Sequence, residues 1–207
     1  MRKQILNNGM ILVLTFVLVP VLCYTLVDFP RRSIIKEVIS MLSIMAFFIM
    51  LMQFFLSRAG SYFLQGQSMG RIIKWHKVLG YIFICVLMLH PFLIVFPRYF
   101  ESGVTPQEAF ITLITTANLG VVLGMVAWLL MFILGLTSLI RTKLGMRYRT
   151  WRLLHGILSI AFISVAAFHV VLLGRHMHQS MIWLITSSSI IGVSLLLSIY
   201  VFKPSKK

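Results

Sequence analysis

Acidic residues are almost absent from this chain: Asp28, Glu37, Glu101 and Glu108 stand against 19 Lys and Arg in 207 residues. No carboxylate lies within a long apolar run, so the acidic midplane residues typical of proton-coupled transport are missing. Cysteine is nearly as scarce. Cys23 and Cys85 sit in apolar surroundings, with neither metal-motif spacing nor a disulfide framework, and read as packing residues. Charged residues of any kind make up 11%. The basic surplus of +15 would fit nucleic acid only if it formed a stripe on a soluble face. Here Lys and Arg fall between apolar stretches, so no nucleic-acid partner is expected. No internal repeat or low-complexity segment stands out.

What the chain has in abundance is apolar sequence. Hydrophobic residues account for 59%, and several runs approach the roughly 20 residues that a helix needs to cross a bilayer. Reading these runs between charged breaks gives six spans, at 9–28, 36–57, 73–97, 118–140, 151–174 and 181–202. The first follows Met1-Arg2-Lys3 and is too long for a signal-peptide core. The expectation is an all-α membrane protein, one six-helix bundle over residues 1–207, multi-pass in the cell (inner) membrane. Fourteen of the 19 basic residues fall on one side if both termini are cytoplasmic: Arg2, Lys3, Arg58, Arg71, Lys74, Lys77, Arg141, Lys143, Arg147, Arg149, Arg152, Lys203, Lys206 and Lys207. The remaining five, Arg31, Arg32, Lys36, Arg98 and Arg175, share the other side with all four carboxylates. The positive-inside rule therefore predicts cytoplasmic termini. In the longest outer loop, Thr105-Pro106-Gln107-Glu108 has the pattern of a capping box and predicts a short helix across the outer mouth.

Histidine carries the chemistry. His76 and His90 lie in the third span, His155 and His169 in the fifth, and each pair is separated by 14 residues. Fourteen helical steps return to within roughly 40° of the same face and advance about 21 Å, so each helix presents one ligand near each membrane surface. With these two spans parallel, His76 is level with His155 and His90 with His169. Two imidazoles at each level match the needs of a six-coordinate heme iron. Without a Cys-x-x-Cys-His motif, the implied groups are two b-type hemes between helices three and five. Four core histidines bonded to polar neighbours are the plain alternative, and the cost of ionisable groups in a membrane argues against it. Zinc is weaker, with two ligands per level where four are usual.

Phe83 and Phe162 stand midway between the histidines of their spans, on nearly the same face, and are placed between the hemes. Gly80, Ser159 and Ala166 offer small side chains where a macrocycle would approach. Candidate propionate partners are Arg152, Arg71 and Arg149 on the inner side and Arg175 on the outer. Topology alone also accounts for each of them. Pro91 should bend the third span just after His90. His176 and His178 read first as ordinary loop residues, with contact to a metal or a partner as the alternative.

The stretches Trp75-His76-Lys77-Val78-Leu79-Gly80 through Leu89-His90-Pro91, and Tyr148-Arg149-Thr150-Trp151-Arg152-Leu153-Leu154-His155-Gly156 through Phe168-His169, resemble the ferric reductase-like transmembrane domain. That superfamily includes ferric reductases, NADPH oxidases and the heme-bearing membrane subunit of a bacterial methionine sulfoxide reductase system. The resemblance implies that the four histidines are bis-axial heme ligands, with electrons passing from a cytoplasmic flavin through the inner heme to the outer one. The chain ends at Lys203-Pro204-Ser205-Lys206-Lys207, so FAD or FMN is expected only on a separate partner. Ile94 stands four residues past His90, where oxidases of this family typically carry a further histidine, and superoxide production is not expected.

The leading expectation is an electron-transfer subunit of an oxidoreductase. It would take electrons from a cytoplasmic flavin reductase or quinol and deliver them to an extracytoplasmic acceptor such as ferric iron or a periplasmic redox partner. Outward electron movement is favoured by about 2.3 kcal/mol per 100 mV of interior-negative potential. A quinol-oxidising cytochrome b subunit and, in a different class, a histidine-lined transporter remain the rivals.

Overall fold

The computed structural model describes residues 9–30, 32–57, 64, 67–116 and 118–202. Arg2, Lys3, Arg31, Arg58, Lys203, Lys206 and Lys207, which entered the charge count, lie outside the described residues. Helices and turns account for the described structure, with no strand among the described residues. The major elements are α1 (Gly9–Thr25), α2 (Ile34–Phe55), α3 (Met69–Val95), α4 (Pro106–Thr115), α5 (Leu119–Leu139), α6 (Tyr148–Leu173) and α7 (Gln179–Phe202).

Five of these, α2, α3, α5, α6 and α7, are long and apolar enough to cross a membrane. This is a multi-pass membrane protein. The expected first span is helical and apolar over Gly9–Thr25 but stops short of Asp28, and is shorter than the roughly 20 residues of a straight crossing. Within α1 the backbone widens to a π-turn at Leu14–Leu18, two residues before Pro20. In a regular α-helix the ring of Pro20 would press on the carbonyl of Phe16, four residues earlier, and the wider turn removes that clash.

Two helices begin three or four residues earlier than the apolar pattern indicates. α3 starts at Met69 rather than 73, and α6 at Tyr148 rather than 151. Each extension carries a basic residue, Arg71 in α3 and Arg149 in α6, which a helix accommodates once it leaves the apolar layer. At the start of α3, Ser68 Oγ accepts from Arg71 N at 3.4 Å, at the edge of hydrogen-bond range. Pro91 is included within α3, which runs on to Val95 and a 3₁₀ turn at Phe96–Tyr99.

The predicted capping box is present. Thr105 Oγ1 accepts from Glu108 N at 3.3 Å while Glu108 Oε2 accepts from Thr105 N at 3.0 Å, and Pro106 opens α4. Between α5 and α6 the chain turns through a 3₁₀ segment at Arg141–Lys143 and then Gly145 at φ +63°, a conformation that favours glycine.

The chain divides into two compact units. The first holds 1–28, 44–83 and 178–207. Its core is built from Phe16, Phe48, Leu51, Met181 and Ile185, all fully buried. The Phe16 and Phe55 rings meet at 5.0 Å, and Gly192 leaves room for the Phe54 ring. The second unit holds 29–43 and 84–177, with α5 packed along α6 and with Met131, Phe162, Ile163 and Ala166 buried. Leu89, Phe92, Leu153, Ile157 and Phe168 point outward, as expected of helices solvated by lipid.

Candidate functional site

α3 carries His76 and His90, and α6 carries His155 and His169, each pair on a single helix. In the second unit His90 and His169 come together. Their ring centroids are 6.5 Å apart and their planes stand at 87°. Each ring is also held by another element of the unit. Ser43 of α2 has its Oγ 2.9 Å from His90 Nδ1, and the carbonyl of Gly120 in α5 is 2.7 Å from His169 Nδ1.

Beside His169 the wall of α5 is bare. A Cβ at Gly124 would stand 2.5 Å from His169 Cε1 and 2.6 Å from its Nδ1, and one at Gly120 would stand 2.6 Å from Leu173 Cγ. His169 and Leu173, four residues apart on α6, therefore seat onto Gly120 and Gly124, four residues apart on α5. Small residues at this spacing let membrane helices approach closely. Here the approach also places a histidine.

His155, also in the second unit, has Ser138 Oγ 3.3 Å from its Nδ1 and its ring stacked on Trp151 at 5.0 Å. Trp151 Nε1 donates to Thr137 O at 3.2 Å, and the Arg141 guanidinium lies over both Tyr148 (4.8 Å) and Trp151 (5.1 Å). A stack of an arginine and three rings thus runs from the start of α6 to His155. His76 is half-buried in the first unit, one turn before Gly80. A Cβ at Gly80 would sit 4.0 Å from Gln53 Oε1. Gln53 is buried, with Nε2 donating to Ile49 O at 3.3 Å and no hydrogen-bond partner for Oε1 among the described residues.

Of the other residues singled out from sequence, Phe162 is buried in the second unit and Phe83 half-buried in the first. Arg71 is exposed and bonds Gln67 Oε1, Arg149 is exposed, and Arg152 is half-buried. Arg175 donates to Pro30 O, and its Nε lies 3.8 Å from Glu37 Oε1, so its guanidinium is built into a protein network.

That network joins the start of α2 to the turn after α6. Arg32 donates to Glu37 Oε1 at 2.9 Å and to Ser40 Oγ at 2.8 Å. His176, read from sequence as a plain loop residue, is buried against the Phe29 ring with Nε2 3.2 Å from Glu37 Oε2. Burial holds its pKa below the ordinary histidine value, against the pull of Glu37. Nearby, Glu101 accepts from Lys36 at 2.6 Å and from Ser33 at 3.0 Å. The Lys36 hydrogen bond, foremost, draws its carboxyl below the usual range. Cys23 and Cys85 are free thiols, and Cys85 is exposed rather than packed in a core.

Ser43, Gly124 and Gln53 escaped the sequence reading. Gly120-x-x-x-Gly124 was a legible packing motif. A single Ser in an apolar helix, such as Ser43, carries no comparable mark.

The family model for the ferric reductase like transmembrane component matches residues 42–166. The match takes in Ser43, His76, His90, Gly124 and His155 and stops three residues before His169. A protein of Archaeoglobus fulgidus, described only as uncharacterized, is 40% identical over 141 residues, which is 68% of this chain and 76% of that one. No solved structure matches. Well over half of the chain, including three of its four span histidines, falls within the matched region, and the chain belongs to the ferric reductase-like transmembrane component family.

Proposed function

We propose that the chain is a di-heme b-type cytochrome that moves electrons across the cell membrane. Its donor would be a separate cytoplasmic flavoprotein and its acceptor extracytoplasmic, either ferric iron or a periplasmic reductase. Family membership supports a membrane electron-transfer role. The observation that carries the finer reading is the His90–His169 pair.

A metal–imidazole bond is about 2.0 Å long and an imidazole centroid lies about 1 Å from its nitrogens, so rings ligating one ion from opposite sides stand about 6 Å apart. The observed 6.5 Å fits that arrangement. Each Nδ1 is engaged by Ser43 or Gly120, which leaves Nε2 for iron. The donor set also fits. No cluster of three His, Cys, Asp or Glu exists among the described residues, as a protein zinc site would require, whereas a six-coordinate heme needs only two histidines.

His90 and His169 would hold the outer group and His76 and His155 the inner one. A bound heme supplies a reversible one-electron iron couple. The protein fixes the ligands, excludes water with the surrounding apolar side chains, and keeps charge at the helix ends. Phe83 and Phe162 would lie between the two groups, Gly80 would allow close approach, and Arg152, Arg71, Arg149 and Arg175 are the propionate candidates. Arg175 competes for this role least well, since Glu37 and Pro30 already hold it. With α1 as a sixth span both termini would lie on one side, which the positive-inside bias assigns to the cytoplasm. The carboxylates lie near helix ends or in turns, which disfavours the histidine-lined transporter.

The test is direct: purify the protein from heme-replete cells and record oxidised and dithionite-reduced spectra with heme quantification. Two hemes per chain with low-spin bis-histidine bands are expected. A heme-replete preparation lacking those bands would refute the reading.

A further inference from the structure

We infer that Ser43 and Gly124 are positioning residues for the His90–His169 pair, fixing which nitrogen of each ring is presented to a ligand. The inference rests on the proposed ligand role of that pair. Its basis is a proton count. Ser43 has one hydroxyl proton, and its Oγ donates it to Ile39 O at 2.8 Å. Toward His90 the same oxygen can then only accept, so the 2.9 Å contact assigns the proton to His90 Nδ1. The Gly120 carbonyl can likewise only accept, so His169 Nδ1 also carries a proton.

Both rings are thereby the Nδ1–H tautomer, with the lone pair on Nε2. The two devices differ. On His90 a side chain of α2 supplies the acceptor, and on His169 the α5 backbone does. The backbone acceptor is within reach only because α5 has no Cβ at Gly124, where one would stand 2.5 Å from the ring. An alanine there displaces His169 and with it the Nδ1–Gly120 bond.

Removing such a second partner of a ligating histidine typically weakens metal affinity 10- to 100-fold. Losing the acceptor on His90 Nδ1 also makes the ring less electron-donating, which favours the reduced metal. Ser43→Ala should therefore retain or weakly lose one heme and raise its midpoint potential, while the other potential stays at the wild-type value. Ser43→Thr keeps the hydroxyl and should restore both affinity and potential. Gly124→Ala should lose one heme or shift the low-spin EPR signal of one heme. Gly135→Ala, on the same helix but with its Cβ an ordinary 3.4 Å from Ile84, should leave both unchanged.

Heme stoichiometry, redox titration and EPR on the full-length, detergent-solubilised protein read these outcomes, with His90→Ala and His169→Ala beside them. If those two each lose a heme while Ser43→Ala and Gly124→Ala match wild type in content, potential and EPR, the positioning role is overturned. If His169→Ala keeps both hemes, the ligand assignment falls instead, and the positioning role with it. Should Gly124→Ala fail to accumulate, the Ser43→Ala and Ser43→Thr pair decides the question.

Discussion

His169 Nδ1 stands 2.7 Å from the carbonyl oxygen of Gly120, one helix turn from the glycine whose missing side chain admits the ring. A helix-packing motif and a histidine environment are the same structure here, and sequence changes in α5 should be read through α6.

Gly120→Ala tests the packing half of that statement. Its Cβ would lie 2.6 Å from Leu173 Cγ and 3.0 Å from both methyl carbons, so Leu173 or the helix must move. Overpacking of this kind typically costs about 1–3 kcal/mol. The thermal midpoint in detergent should fall below that of both wild type and Gly135→Ala. An unchanged midpoint would mean that the α5–α6 interface is looser than the distances indicate.

Thr105→Ala removes the side chain that accepts from Glu108 N at the start of α4. Loss of an N-cap costs about 1 kcal/mol. Hydrogen exchange of the first-turn amides of α4 should accelerate severalfold while α5 and α6 keep wild-type protection. The Glu108 carboxyl, held low chiefly by its bond to the Thr105 backbone, should keep part of the box in place.

Acidification should destabilise the protein in two stages. The folded pKa of His176 lies below the ordinary histidine value, so on the way down from neutral pH the unfolded chain binds its proton first. Stability thus falls below about pH 6.5, the ordinary histidine value, as the pH approaches the folded value. The folded pKa of Glu101 is lowered as well, so its contribution is present above the usual carboxylate range and lost at lower pH. His176→Gln should flatten the first stage and leave the second, measured by thermal midpoints across a pH series. Glu37, Arg32 and Arg175 surround His176, and a variant curve parallel to wild type near pH 6 would place the titrating group elsewhere in that network.

The sequence pattern revealed the five long apolar helices, the α4 capping box and the two 14-residue histidine spacings, because each is a local feature. Helix ends were missed at Met69 and Tyr148, where basic residues continue the helix beyond the apolar layer. Asp28 lies beyond the end of α1, which closes at Thr25. His176 looked like a loop residue because its burial depends on Phe29 and Glu37, more than 130 residues away. Ser43 was invisible for the same reason: its partner on α3 is 47 residues distant. Gly124 went unread although it closes a Gly-x-x-x-Gly packing pattern with Gly120, and nothing local says that the ring it admits is His169.

The most direct test of the central claim is heme stoichiometry in the four single variants His76→Ala, His90→Ala, His155→Ala and His169→Ala, each compared with wild type. The account predicts two hemes in wild type and loss of one in every variant. His76→Ala and His155→Ala should share one residual spectrum, and His90→Ala and His169→Ala the other. Two retained hemes in any folded variant, or a residual spectrum that pairs His76 with His90, would contradict it.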